Sequence, residues 1–153
     1  MGVGGNFVKT DYQEYGEKFA VSAGAVMVNG NTLFTVSGGP ILVTGLVSVC
    51  LTANDATAST LQYRSVPTSG SAQTISNASG SLANAAAGAT VSLLGTALTT
   101  AANLSANGAN LGMTAPMVIP AGTIAAVIGV GSTTGTWRHY LRYQPLGPGV
   151  RVQ

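Results

Sequence analysis

The chain has 153 residues, about the size of one domain, and only 7% of them are charged, with a formal net charge of +2. This length is sufficient to bury a hydrophobic core. The few Lys and Arg residues do not cluster as electrostatic binding of nucleic acid requires. No apolar segment reaches the roughly 18 uninterrupted residues of a transmembrane helix. We therefore expect neither nucleic acid nor a membrane as a partner.

The first 25 residues differ in composition from the rest. Residues 1–24 hold five of the ten charges and four of the nine aromatic residues, and they begin with a Gly-rich stretch. Because this segment has too few apolar residues for a core of its own, it is predicted to be an extended arm, residues 1–25, that precedes a domain, residues 26–153. The alternative is a terminal strand or short helix packed on its own domain. The candidate partner-binding residues of the arm are Phe7, Tyr12, Tyr15 and Phe19.

From residue 26 onward the local signals are those of strands. Residues 26–28 and 32–36 flank Asn29-Gly30, a dipeptide typical of two-residue turns, which predicts a hairpin. Gly38-Gly39-Pro40 then interrupts the pattern. Residues 41–52 are rich in β-branched side chains with apolar residues on both faces, as in a central strand that is covered on two sides.

The middle of the chain predicts shorter elements. Residues 60–66 alternate as a half-buried strand that ends at Pro67, and residues 67–70 have the composition of a turn. Residues 71–88 are low in complexity, with Ile75 and Leu82 as their sizeable apolar residues. This composition predicts short strands joined by a long surface loop.

Three further segments follow before the last predicted strand. Residues 89–98 resume a strand-like pattern, and residues 98–110 are compatible with a short helix. Residues 116–130 predict two strands, or one bent strand, with the bend at Pro120-Ala121-Gly122.

Residues 137–146 predict the last strand. Its two faces consist of Trp137, His139, Leu141 and Tyr143 on one side and of Arg138, Tyr140, Arg142 and Gln144 on the other. Arg138 and Arg142 therefore share a face, where they are candidates for polar contacts between subunits, for instance with the acidic arm of a neighbour. The alternative is a pair of solvated arginines.

About eight strands at short spacing, with no clear helical period, predict an all-β fold. We expect a single antiparallel β-sandwich or jelly-roll-like domain with an extended N-terminal arm. Within it, the 73 residues from 65 to 137 contain no Asp, Glu, Lys, Arg or His. Soluble domains carry charge at about a quarter of their positions. The neutral stretch therefore predicts sheets and loops that are partly covered by identical or related subunits.

The residues that usually perform chemistry are scarce. The single histidine, His139, lies inside a strand-like alternation and is expected to be a hydrogen-bonded core or interface residue. Cys50 has no second cysteine to pair with and is expected to be a buried apolar residue. Asp55 fits a turn over residues 54–57, in which its carboxylate accepts backbone N–H groups. We expect no catalytic residues, no cofactor and no metal site, and hence a protein that is not an enzyme.

Four motifs carry a resemblance to a known group of proteins. They are residues 38–47 (GGPILVTGLV), 67–70 (PTSG), 115–124 (APMVIPAGTI) and the ending from 135–137 (GTW) to 143–147 (YQPLG). In this order they resemble a group of small virion proteins of tailed bacteriophages, over roughly residues 36–150. The resemblance implies a β-sandwich that oligomerises, commonly as a trimer, on the outside of a capsid as a decoration or cement protein, or within a head fibre or tail.

We therefore expect a structural virion protein on the capsid surface, a homo-oligomer with the trimer that the resemblance implies. Its partners would be other copies of itself and the major capsid protein, and it would stabilise the shell by bridging neighbouring capsomers. The alternative is a head-fibre or tail-fibre component that binds a host-surface glycan. The loop-rich residues 70–115 contain no aromatic side chain, which counts against glycan binding there.

Overall fold

A computed structural model describes residues 16–153. These residues contain no helix, and their strands form two antiparallel sheets that pack face to face. Sheet A consists of β1 (Lys18–Val21), β2 (Ala25–Val26), β4 (Ile41–Cys50), β7 (Thr90–Ser92), β8 (Asn103–Ser105), β9 (Met117–Ile119) and β11 (Thr136–Pro145). Sheet B consists of β3 (Thr32–Ser37), β5 (Thr60–Pro67), β6 (Gln73–Thr74), β10 (Gly122–Gly129) and β12 (Arg151–Val152). The predicted all-β sandwich is confirmed.

The strand pairs are nested along the chain. Sheet A has the order β1-β11-β4-β7-β8, with β2 also on β11 and β9 also on β4, and sheet B has the order β12-β3-β10-β5-β6. Thus β5 pairs with β6, β4 with β7 and β9, β3 with β10, and β1 and β2 with β11. The first half of the chain therefore pairs with the second half, and most connections carry the chain from one sheet to the other.

The hydrophobic core lies between the sheets and follows the predicted alternation. Trp137 and Leu141 of β11 are buried from sheet A, and Phe34, Tyr63 and Ile124 are buried from sheet B. Burial of one such side chain contributes about 1.5–3 kcal/mol relative to an exposed one. The strand predicted over residues 137–146 is thus confirmed as β11, but it is not the last strand, because β12 follows it on the edge of sheet B.

The predicted hairpin at Asn29-Gly30 is wrong, although the turn itself is present. The N–H of Asn31 donates to the carbonyl of Val28 at 3.0 Å, and Gly30 has a φ of 87°. Asn29 does not share this positive φ, so the turn is not the type that both central residues must enter for a tight hairpin. The turn instead carries the chain from β2 in sheet A to β3 in sheet B.

The low-complexity middle follows the prediction except at the helix. Ile75 and Leu82 are both buried and anchor a long loop between β6 and β7. The short helix suggested for residues 98–110 is wrong, because β8 lies there and pairs with β7. The Thr, Asn and Gly content of this segment favours pairing with an available strand edge over a helix.

The bend at Pro120-Ala121-Gly122 is confirmed as the crossing from β9 in sheet A to β10 in sheet B. Gly122 has a φ of 145°, in a region that favours glycine. A Cβ atom at this position would overlap the carbonyl oxygen of Val66 and the Cα of Pro67. Two chain segments therefore meet at Gly122 with no space for a side chain.

We expect Gly122→Ala to lower the free energy of unfolding by about 2–3 kcal/mol, because it adds both backbone strain and a steric overlap. Gly112→Ala is the matched control, since a Cβ atom at Gly112 would meet nothing within 4 Å. Urea unfolding of both variants measures the effect. Equal stability of the two variants would contradict the close packing at the crossing.

A chain of polar groups crosses the core between the sheets. The Ser48 hydroxyl lies 2.6 Å from Nδ1 of His139 and 2.8 Å from the Tyr63 hydroxyl, which donates to the carbonyl of Val91 at 3.1 Å. Since the single Tyr63 proton is used on Val91, Ser48 donates to Tyr63 and Nδ1–H of His139 donates to Ser48. His139 is therefore a hydrogen-bonded core residue, as predicted.

Burial changes the titration of this chain of groups. Burial lowers the pKa of His139 to about 4, and burial raises the pKa of Tyr63 above its usual range. Both groups thus stay neutral at physiological pH. Cys50 is buried, as predicted, and burial also raises the pKa of its thiol.

Stability should fall on acidification through His139. Because the pKa is about 4 in the folded chain and near the ordinary 6.5 in the unfolded chain, the unfolded chain binds the proton first as the pH falls. The contribution is fully present above pH 6.5 and is lost between pH 6.5 and 4, about 3 kcal/mol in total. Urea unfolding at pH 7, 6, 5 and 4 measures it. His139→Leu, which cannot titrate, should show a flatter profile, and identical slopes would contradict this account.

Candidate interaction surface

The described part of the predicted arm belongs to sheet A. Strand β1 pairs along β11, so residues 18–21 form a terminal strand of the sandwich, which was the alternative to an arm at this point. Phe19, one of the four candidate residues, lies on β1 and is 73% exposed. Phe7, Tyr12 and Tyr15 lie outside the described residues.

The pairing register determines which side chains share the outer face of sheet A. Val21 is opposite Tyr140, and Tyr140 is opposite Val47. Directly opposite residues project to the same side of a sheet. One loop residue, Leu111, lies on this face as well and borders the same groove. We call the resulting surface the outer patch, and it consists of Phe19, Val21, Val47, Val49, Leu111 and Tyr140.

The outer patch is apolar and accessible. Phe19, Leu111 and Val21 are exposed by 73%, 69% and 57%. Between Phe19 and Leu111 runs a groove of about 480 Å³ whose floor includes Val47 and Tyr140. Single exposed apolar residues are ordinary on a protein surface, whereas a contiguous group around a groove marks an interaction site. The outer patch is therefore the candidate functional surface of the described residues.

One wall of the groove is a loop that Asn110 fixes to sheet A. The Asn110 side-chain oxygen accepts from Ser92 Oγ at 3.1 Å and from Asn103 Nδ2 at 2.6 Å, and its amide donates to Thr90 Oγ1 at 3.0 Å. Thr90 Oγ1 in turn donates to the carbonyl of Gly108 at 2.8 Å. An amide side chain that both donates and accepts in this way replaces missing strand pairing at the edge of the sheet.

We expect Asn110→Ala to free the loop over residues 106–113 and to destabilise the chain by about 1–3 kcal/mol, because several partners lose their hydrogen bonds. Asn107→Ala is the matched control, since Asn107 is an exposed residue of the same loop. Hydrogen exchange of the loop amides, together with urea unfolding, measures both effects. Equal exchange in the two variants would contradict the role of Asn110.

Charged residues lie at the rim of the outer patch. Arg142 Nε is 3.1 Å from Glu17 Oε1, and its Nη2 donates to the carbonyl of Thr44 at 3.2 Å. Both partners of this ion pair are about half exposed, so it contributes within about 1 kcal/mol. Arg138 and Arg142 share the outer face, as the alternation predicted, while the carboxylate beside Arg142 comes from its own chain. Contacts of these arginines with another subunit stay a prediction.

The outer face of sheet B has a different character. It presents hydroxyl, amide and guanidinium groups, from Thr35, Gln62, Arg64, Thr74 and Thr123. Within residues 16–153, the buried Nε of Arg64 has no hydrogen-bond partner. The sandwich is thus two-sided, with an apolar outer face on sheet A and a hydrophilic one on sheet B.

The chemical groups elsewhere have structural explanations. The N–H of Thr57 donates to Asp55 Oδ1 at 2.8 Å, and this backbone hydrogen bond lowers the pKa of the Asp55 carboxyl, as expected of the predicted turn. In the part of the chain that the structure describes, no group of three or more His, Cys, Asp or Glu residues is arranged to hold a metal ion. Nor is any helix of residues 16–153 long and apolar enough to cross a membrane.

Comparisons with known proteins return no matching family model, no matching curated protein and no matching solved structure.

The sequence analysis selected one residue of the outer patch, Phe19, and missed the others. Their signal was present in two places. The both-sided apolar character of residues 41–52 placed Val47 and Val49 on the outer face, and the alternation of residues 137–146 placed Tyr140 there. Leu111 carried no signal, because only the fold of its loop brings it to the patch.

Proposed function

We propose that this protein is a structural component of a bacteriophage virion, a homo-oligomer that binds the capsid exterior and stabilises the shell without enzymatic activity. The observation that carries the proposal is the outer patch, an apolar surface on a rigid sandwich. Such a surface suits permanent association better than turnover of a substrate.

The strand order supports this proposal. Four nested antiparallel pairs, distributed over two sheets, favour a sandwich of the jelly-roll type. This architecture recurs in viral capsid domains and in lectins. Because one fold hosts many functions, the order supports a virion role only together with the resemblance and the surface.

The motifs behind the resemblance lie at the structural junctions of the fold. Gly38-Gly39-Pro40 connects β3 to β4, residues 67–70 follow β5, and Pro120-Ala121-Gly122 connects β9 to β10. These positions explain why the motifs are rich in Gly and Pro, which such turns require. The resemblance therefore concerns the framework of the sandwich, which is the property shared by decoration proteins and fibre components.

Shell stabilisation would operate by mass action. A subunit that bridges neighbouring capsomers, and has no equal site on dissociated ones, stabilises the assembled shell by its binding free energy. We propose Phe7, Tyr12, Tyr15 and Phe19 as the contacts with the major capsid protein. The high exposure of Phe19 supports this assignment for the one residue that the structure describes.

The second candidate is a head-fibre or tail-fibre component that binds a host glycan. The hydrophilic outer face of sheet B favours it, since Gln62, Arg64 and Thr123 offer hydrogen-bonding groups and one cation. Binding of the purified chain to cell envelopes, without any effect on the thermal stability of capsids, would support this candidate over the first.

The proposal predicts that the protein co-purifies with phage particles. The decisive sample is a set of particles produced without the chain, to which wild-type protein and a Phe7→Ser, Tyr12→Ser, Tyr15→Ser variant are added. Removal of the aromatic contacts should reduce occupancy by about tenfold or more, because aromatic anchors carry much of the energy of such interfaces. Deletion of the whole 1–25 segment is unsuitable, since it also removes β1 and uncovers the edge of β11.

Val130→Asn serves as the control, because Val130 is 71% exposed outside the outer patch and Asn tolerates its φ of 61°. Occupancy is measured by quantitative mass spectrometry of sedimented particles, and shell stability by thermal release of DNA. Wild-type protein that neither sediments with particles nor raises their disruption temperature would contradict the virion role. Full occupancy of the triple variant would contradict the role of the arm.

A further inference from the structure

We propose that two copies of this chain pack against each other through the outer patch, face to face about a two-fold axis. The partner is thus a second copy of the same surface. This inference rests on the geometry of sheet A and holds whether or not the protein belongs to a phage particle.

The first support is that protrusion and groove lie on one surface. Phe19 projects from β1 at one side of the groove, and Leu111 projects from the loop at the other. A cavity of about 150 Å³ accommodates a benzene ring. The groove of about 480 Å³ therefore has room for the Phe19 ring of a second copy together with a neighbouring side chain. A two-fold axis lets each copy fill the groove of the other, as an isologous contact requires.

The second support is the charge at the rim. Glu17 and Arg142 form an ion pair beside the groove, so the surface carries both signs and does not repel a copy of itself. Across a two-fold axis, each acid can also approach the arginine of the other copy. Self-complementary charge of this kind favours a like partner over a strongly acidic or basic one.

The third support is the size of the surface. The groove is lined by 17 residues, and Val21 and Arg138 extend the same face. Stable interfaces use about 20–30 residues on each side. The patch therefore approaches the extent that a dimer requires. Packing of two sheets by their outer faces also follows the aligned geometry in which sheets stack about 10 Å apart.

Sedimentation equilibrium of the full chain between about 1 and 200 µM tests the proposal. We expect a mass of twice the 15.2 kDa of one chain at the upper concentrations. Phe19→Thr and Val21→Thr keep strand-forming side chains but remove the apolar contact, and we expect each to raise the dissociation constant by about tenfold or more. Val130→Asn should leave it unchanged. Urea unfolding of each variant at low concentration shows that the monomer fold is retained.

Several outcomes would overturn the proposal. One is a wild-type chain that is monomeric throughout, and another is a trimer, which cannot be built from one isologous contact. A dimer that Phe19→Thr and Val21→Thr leave intact would place the contact elsewhere. Finally, association that appears only in the Phe7→Ser, Tyr12→Ser, Tyr15→Ser variant would show that the N-terminal aromatic residues cover the patch instead of a second copy.

Discussion

The pairing of β4 with β11 determines both faces of sheet A. These two strands are the longest in the described chain, and their register runs from Ile41 opposite Pro145 to Cys50 opposite Trp137. Because side chains alternate along a strand, the same register that buries Trp137 presents Tyr140 on the outside. A slip of one residue would exchange the core face and the outer patch, so packing of the core and presentation of the surface depend on one set of backbone hydrogen bonds.

The uncharged stretch over residues 65–137 is accommodated differently from what its composition suggests. Its strands and loops supply core residues, crossings and hydrophilic surface, whereas most of the outer patch comes from β1, β4 and β11 outside it. The strands at the sheet edges, β1, β8, β12 and β6, are only two to four residues long. Short edges limit unwanted pairing between chains without the help of charge. Association is thereby directed to a face of the sandwich instead of an edge.

Local chemistry predicted much of this arrangement, and long-range pairing explains the remainder. The alternation of residues 137–146, the bend at Pro120-Ala121-Gly122 and the turn at Asp55 each depend on neighbouring residues, and each was predictable. The hairpin at Asn29-Gly30 failed because β2 and β3 find their partners about a hundred residues away. The outer patch was recognised only at Phe19, since a residue such as Leu111 reaches it through the Asn110 hydrogen bonds rather than through any sequence period.

Hydroxyl-radical footprinting of the full chain at low and at high concentration tests the central claim most directly, because it reports the exposure of individual side chains without substitution. The account predicts that Phe19, Leu111 and Tyr140 become protected as the concentration rises, while Val130 and Leu146 keep their reactivity. Unchanged reactivity of Phe19 and Tyr140, or protection confined to the side chains of sheet B, would contradict the assignment of the outer patch as the interaction surface.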